Sequence, residues 1–255
     1  MPHRRCDLVR FKVLSAVLKT RLARSSRRGS GRPRRARQST GFQMKPTSIP
    51  DPTVRRLSLY LRELETLWRS DHRTVSSRKL AQALKLTATQ IRKDLAYFGQ
   101  FGQRGIGYDV GELITKIRHI LGTDRTWNVL LVGAGNLGTA LSAYRGFAKK
   151  GFRLVAVFDA DPGKVGRPIS GTDDLTIRSI DDIPAMVREH DIRLAIVAVP
   201  QEAAQTVAEV LVSAGVRGLL NFAPVSLDVD AAVAISSVDL AVQLEQLSFQ
   251  VGSQP

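Results

Sequence analysis

Trp127-Asn-Val-Leu-Leu-Val132 runs directly into Gly133-Ala134-Gly135-Asn136-Leu137-Gly138, and this stretch decides how the rear of the chain folds. A β-rich run, three spaced glycines and helix-forming residues to about 149 form the one setting in which G-x-G-x-x-G carries chemical meaning. The first glycine permits the turn, and the second lets a pyrophosphate approach the backbone. The third lets helix and strand pack closely, while N–H groups at the helix start offer positive potential to phosphate. A second apolar run at 152–158 ends at Asp159, 21 residues after Gly138. A carboxylate there accepts hydrogen bonds from adenosine ribose hydroxyls and repels a 2′-phosphate, so the expected ligands are NADH and NAD⁺ rather than their phosphorylated forms. The alternative is that Asp159 only opens the turn Asp161-Pro162-Gly163.

Strand and helix patterns continue to alternate beyond Asp159. Residues 194–199 are apolar and end at Pro200, 202–214 read as a helix, and 216–220 as a strand leading into Asn221-Phe-Ala-Pro224. Such alternation predicts a parallel sheet flanked by helices. Residues 238–251 form an amphipathic segment with Leu240, Leu244, Leu247 and Val251 on one side. Two destinations are open to it: its own domain, or a partner subunit.

The front of the chain reads differently. Val54, Leu57, Leu61, Leu64 and Trp68 make one apolar stripe on a helix over 52–69, with Pro52 in the first turn. Residues 71–75 break that pattern. Ser76 or Ser77 can cap a short helix carrying Leu80, Ala81 and Leu84. Thr87-Ala-Thr-Gln90 is a capping box opening a further helix to about Tyr97, with Ile91, Leu95 and Phe98 facing inward. Thr89, Gln90, Arg92 and Lys93 fall on or near the outer face, as in a DNA-reading helix-turn-helix. A packing bundle with a solvated basic face has the same pattern. The glycines at 99, 102, 105 and 107, set among aromatics, then suggest a hairpin wing with Arg104 at its tip, able to enter a minor groove or grip phosphate. A helix over 111–121 returns the chain through Leu113, Ile114, Ile117 and Ile120.

Charge separates these parts. Of the net +15, residues 1–43 contribute +12, residues 44–125 contribute +7 and residues 126–255 contribute −4. A basic front attracts polyanions by counterion release, which points to nucleic acid. The arginine-, serine- and glycine-rich tail cannot bury a core. It reads as disordered, as an imitation of a transit peptide, or as sequence upstream of a true start at Met44; no function is assigned to it. The single cysteine, Cys6, excludes an intramolecular disulfide and cysteine-rich zinc sites, and fits a reducing cytoplasm. The four histidines lack metal-ligand spacing, so no metal is expected. No apolar run is long enough for a transmembrane helix.

Taken together, Arg92-Lys-Asp-Leu-Ala-Tyr-Phe-Gly99, Gly105-Ile-Gly-Tyr108, Val132-Gly-Ala-Gly-Asn-Leu-Gly138, Phe158-Asp-Ala-Asp-Pro162, Lys164-Val-Gly166 and Gly218-Leu-Leu-Asn-Phe-Ala-Pro224 resemble the Rex family of redox-sensing repressors over about residues 48–250. The resemblance implies a cytoplasmic homodimer that binds palindromic operator DNA and is released by NADH, with NAD⁺ competing. It also implies a terminal helix exchanged between subunits, with Tyr144 and Asp239 as a polar pair beside the partner's nicotinamide pocket. The expected architecture is α/β: a basic tail (1–47), a winged helix-turn-helix domain (48–124), a Rossmann domain (125–237) and a swapped terminal helix (238–255).

Two other functions compete. A dehydrogenase needs a substrate domain and an acid/base group, but the Rossmann elements consume the rear segment. Its only histidine, His190, sits in the polar stretch Arg188-Glu-His-Asp191, so no enzyme activity is expected. A redox-insensitive DNA-binding protein would keep the Rossmann fold as a scaffold, which the intact glycines and Asp159 argue against.

Overall fold

The computed structural model of the protein describes residues 49–99, 101–102, 106–172 and 174–253. They divide into two compact units that meet between Arg125 and Thr126. The basic tail and Arg104 lie outside the described residues.

The front unit opens with α1 (Asp51–Arg69). Its buried face is Thr53, Leu57, Tyr60, Leu61, Leu64 and Leu67. Val54 and Trp68, expected at the ends of the stripe, are exposed. At 3.6 residues per turn, a stripe drawn over about four turns drifts sideways, and Thr53 and Tyr60 occupy the inner face instead. Helix α2 (Ser77–Leu84) starts at Ser76, whose hydroxyl accepts from Lys79 N at 3.1 Å, settling which serine is the cap. Helix α3 (Ala88–Ala96) starts at Thr87, whose hydroxyl accepts from Gln90 N at 3.1 Å. Only that half of the expected capping box forms, because the Gln90 amide turns to Asp94. Leu80, Ile91 and Leu95 from this helix pair are buried with α1 and with α4 (Val110–Ile120) in one apolar core.

Residues 71–75, read as a break, hold a strand. Thr74–Val75 (β1) pairs antiparallel with Tyr108–Asp109 (β2). Gly107 sits at φ +98°, and a side chain there would come within 2.7 Å of the Val75 carbonyl oxygen. The glycine run therefore lets the chain close back on β1. Its expected hairpin tip lies outside the described residues.

The rear unit is a six-stranded, wholly parallel sheet in the order β5-β4-β3-β6-β7-β8. The strands are β3 (Trp127–Val132), β4 (Phe152–Asp159), β5 (Ile177–Ser179), β6 (Leu194–Val197), β7 (Gly218–Asn221) and β8 (Ala234–Ser237). The helices between them are α5 (Asn136–Ser142), α6 (Gly146–Lys149), α7 (Ile183–Glu189) and α8 (Gln201–Ala214). The helix expected to continue to 149 is thus broken at 143–145. Alternation along the strands splits the apolar residues between two faces. Leu130, Val132, Ala195, Val197 and Leu219 pack beneath α7 and α8. Val129, Leu131, Val157 and Ile196 face the other way, where Leu141 and Phe147 join them. Across β6, β7 and β8 that second face stays open as an apolar trough of about 340 Å³, reached by Leu194, Ile196, Leu220 and Ile235.

The last helix, α9 (Leu240–Gly252), buries none of its residues. Leu240, Leu244, Leu247 and Val251 are all exposed, so the first of the two destinations open to this segment is not taken. Among the described residues, no helix is long and apolar enough to cross a membrane, and no cluster of potential metal ligands occurs.

Candidate nucleotide and nucleic-acid sites

The strand order reverses at β3. From there the chain runs outward through β4 and β5, then returns to β6 on the other side. The crevice above the carboxyl ends of such neighbours is where doubly wound sheets hold ligands. The glycine turn lies there, directly after β3. Gly133 takes φ +107°, and a Cβ on it would stand 2.3 Å from the Ala198 carbonyl oxygen at the end of β6. A Cβ on Gly138 would stand 1.7 Å from the Gly133 carbonyl oxygen, so α5 closes on its strand only with glycine at that position. Gly135 differs from both, with φ −84° as N-cap of α5 and no atom within 4 Å of a Cβ built on it. Two glycines therefore serve packing, and the third faces open space of the kind a pyrophosphate needs. Around them Ala134 and Gly138 are buried, whereas Asn136 and Leu137 are exposed.

Asp159 ends β4 and is buried. Its Oδ2 accepts from Ala134 N at 2.8 Å and from Lys164 Nζ at 3.0 Å, and its Oδ1 accepts from Asp161 N at 2.9 Å. One oxygen shapes the Asp161 turn, as the second of the two readings has it, and the other is tied to the glycine loop. Lys164 opens the Lys164-Val-Gly166 motif, yet nothing in its spacing announces a bond to Asp159. The same holds for buried Asn221. Its amide donates to the carbonyls of Ala223 and Val225, and its Oδ1 accepts from Ala223 N, fixing the loop after β7.

Tyr144 and Asp239 are not joined within the chain. Tyr144 is exposed, edge-on to Phe147 at 5.1 Å between ring centroids. The Asp239 carboxylate caps α9, accepting from Ala241 N at 2.9 Å and Val242 N at 3.2 Å.

In the front unit, α3 presents the expected polar residues with unequal freedom. Thr89, Arg92 and Lys93 are exposed. The Arg92 guanidinium donates to Ser77 Oγ at 3.0 Å and to Thr89 Oγ1 at 3.2 Å, lying across the starts of α2 and α3. Gln90 is half-buried, and its Nε2 donates to Asp94 Oδ1 at 2.8 Å. Asp94, on the same helix, is buried. It accepts from Arg56 Nε at 2.6 Å, Arg56 Nη2 at 2.8 Å and Tyr60 OH at 2.6 Å. Burial alone would raise the Asp94 pKa, but the bonds from Arg56, Tyr60 and Gln90 outweigh it and hold the carboxyl below the usual range. Burial, and then the bond to Asp94, push the Tyr60 phenol up against the opposing charge of Arg56.

A family model described as "CoA binding domain" matches residues 124–225, and one described as "Putative DNA-binding protein N-terminus" matches residues 48–96. The redox-sensing transcriptional repressor Rex of Carboxydothermus hydrogenoformans is 50% identical over 208 residues, covering 82% of this chain and 99% of that protein. That of Desulforamulus reducens is 46% identical over 208 residues, covering 82% and 98%. The chain belongs to the Rex family. Among solved structures, the Rex-family repressor RSP in complex with β-NAD⁺ and operator DNA aligns with a TM-score of 0.76 at 38% identity, covering 80% of this chain and 93% of that one. RSP in complex with β-NADH aligns with a TM-score of 0.72 at 36% identity, covering 80% and 95%.

The basic residues of α3 lie in the front unit and the glycine turn lies in the acidic rear one. The cluster joining Arg56, Tyr60 and Asp94 leaves almost no signature in the sequence. Arg56 and Asp94 are 38 residues apart, and pairing across that distance leaves no periodic signal. The one hint was an aspartate at an inward position of α3, where a lone charge would not be tolerated.

Proposed function

We propose that this chain is a transcriptional repressor that reads the NADH/NAD⁺ balance, holding operator DNA as a homodimer and releasing it on binding NADH. It is a regulator rather than an enzyme, and as a DNA-binding repressor it acts in the cytoplasm. The observation that carries the reading is the turn at the switch point, closed by Gly133 and Gly138 and open at Gly135. It sits in a chain whose other unit carries an exposed Arg92 and Lys93 on a capped helix.

The backbone of Gly133, Ala134, Gly135, Asn136, Leu137 and Gly138 would receive the dinucleotide's pyrophosphate. Asp159 would receive the adenosine ribose hydroxyls and disfavour a 2′-phosphate. The oxidised nicotinamide ring brings a positive charge and the reduced ring none. An apolar chamber around the ring discriminates between them, because burying an unpaired charge costs free energy. The trough over β6–β8 and the bare helix α9 are both exposed apolar surfaces on one chain. In a homodimer, each α9 would cover the partner's Rossmann unit and bring Asp239 toward the partner's Tyr144. Thr89, Gln90, Arg92, Lys93 and Arg104 would meet the duplex, with phosphate contacts setting position and base contacts setting sequence. Two such heads must match major grooves about 34 Å apart. A ligand shifts that pairing only through unequal affinity for two dimer arrangements, about 5.5 kcal/mol for near-complete conversion.

The test is a gel-shift titration of a palindromic duplex at a series of NADH/NAD⁺ ratios. Release that tracks NADH is expected, with NAD⁺ protecting the complex. Equal response to both nucleotides removes the sensor.

A further inference from the structure

We propose that Asp94 is a positioning residue for base reading: held by Arg56 and Tyr60, it fixes which way the Gln90 amide faces, and so makes Gln90 a preset reader of adenine. The proposal rests on operator binding through α3.

The argument starts from donor and acceptor chemistry. An ionised carboxylate only accepts hydrogen bonds, so only the nitrogen end of an amide can face it. Asp94 is 1% exposed and receives four such bonds, two from Arg56, one from Tyr60 and one from Gln90. Arg56 is in turn steadied by Nη2 donating to Thr53 Oγ1 at 3.2 Å. The carboxylate is thus anchored to α1 by groups that do not touch the outer face of α3. One Gln90 amide proton is committed inward, and the Oε1 and the second proton remain. An amide oxygen beside an amide N–H is the pair that matches adenine N6 and N7 in the major groove. A surface glutamine loses rotamer entropy to adopt this pose on binding. Gln90 has already lost that freedom in the free protein. The bland alternative is that Asp94 only staples α1 to α3 and that Gln90 is an incidental partner.

The test is selection from a random duplex library by the full-length protein and its variants Gln90→Ala, Asp94→Asn, Tyr60→Phe and the double variant Asp94→Asn/Gln90→Ala, with melting temperatures recorded throughout. The wild type is expected to prefer adenine at one position of each half-site. Gln90→Ala should cut that preference about tenfold. Asp94→Asn, whose amide no longer dictates the flip, should cut the same position and add nothing in the Gln90→Ala background. Tyr60→Phe removes an anchor but leaves the Asp94–Gln90 bond, and should lower the melting temperature while keeping the preference. A pure staple would instead show Asp94→Asn and Tyr60→Phe both lowering the melting temperature with base preference intact at every position. That result, or an unchanged preference in Gln90→Ala, overturns the proposal. Selective ¹⁵N-glutamine labelling of the wild type gives a reading that no variant can spoil. One Gln90 side-chain proton should resist solvent exchange in the free protein, and a fast-exchanging pair overturns the proposal. A wild type that selects no sequence overturns the operator reading beneath it.

Discussion

Replacing each glycine of the turn by alanine, one at a time, separates what the loop does for folding from what it does for nucleotide. At Gly133 the added methyl enters a backbone at φ +107°, which costs an L-residue about 1–2 kcal/mol. It also meets the Ala198 oxygen at 2.3 Å, so β3 and β6 must part by about 0.7 Å, an overpacking that costs about 1–3 kcal/mol. The sum of about 2–5 kcal/mol converts, at about 3–5 °C per kcal/mol for a unit of this size, into a melting temperature lower by about 6–25 °C. Gly138→Ala, with its 1.7 Å approach to the Gly133 oxygen, should be at least as damaging. Gly135→Ala meets no atom within 4 Å and keeps φ −84°, so its melting temperature should stay within about 2 °C of wild type. Its methyl nevertheless stands where the pyrophosphate should approach, and NADH affinity should fall tenfold or more, about 1.4 kcal/mol. Scanning calorimetry gives the first quantity and isothermal titration with NADH the second. If Gly135→Ala melts as early as Gly133→Ala, or binds NADH as tightly as wild type, the division of labour among the glycines is wrong.

Asp159→Asn should weaken NADH and narrow the gap between NADH and NADPH, read by fluorescence titration of both nucleotides; an unchanged gap assigns Asp159 to its turn alone. Arg92→Ala and Lys93→Ala should weaken operator binding, each lowering the salt slope by about one, without moving NADH affinity; gel shifts at several salt concentrations check this, and unchanged DNA affinity refutes the helix assignment. The folded pKa of Asp94 lies below its unfolded value of about 3.9. Its contribution to stability is therefore complete above that value and lost as pH falls through the folded one. Urea midpoints between pH 5 and pH 3 should fall less steeply for Asp94→Asn than for wild type, and parallel curves would refute the cluster's role in acid stability.

The parts legible in the sequence share a physical property: they are local. The glycine turn, the caps at Ser76 and Thr87, and the apolar helix faces are each set within a few residues, and the structure places Gly133, Gly138 and Asp159 at the switch point accordingly. The misses are long-range or marginal. Strand β1 is two residues long and exists only because Tyr108–Asp109 pairs with it. Strands β5 and β8 are edge strands of three and four residues that alternate too briefly to signal a buried face, and Ala234–Ser237 is exposed along its length. The break at 143–145 falls beside Gly146, where a Cβ would strike the Tyr144 ring at 2.2 Å. No propensity announces that contact.

Helix α9 carries an apolar pattern that finds no cover among the described residues. Its leucines recur at helical spacing, which predicts a buried face, yet Leu240, Leu244 and Leu247 are 60%, 66% and 54% exposed. Burying a leucine is worth about 1.5–3 kcal/mol, which is what covering this stripe in the proposed homodimer would contribute for each leucine. Cutting the chain after Val238, or placing glutamate at Leu244 and Leu247, should therefore change assembly rather than the fold of one unit. Sedimentation velocity should show a dimer for the wild type and a monomer for both variants, and loss of NADH-driven release should accompany loss of the dimer. A wild-type monomer, or a glutamate variant that stays dimeric and still responds to NADH, would mean that the stripe is not the seam between subunits and that the redox signal reaches DNA by another path.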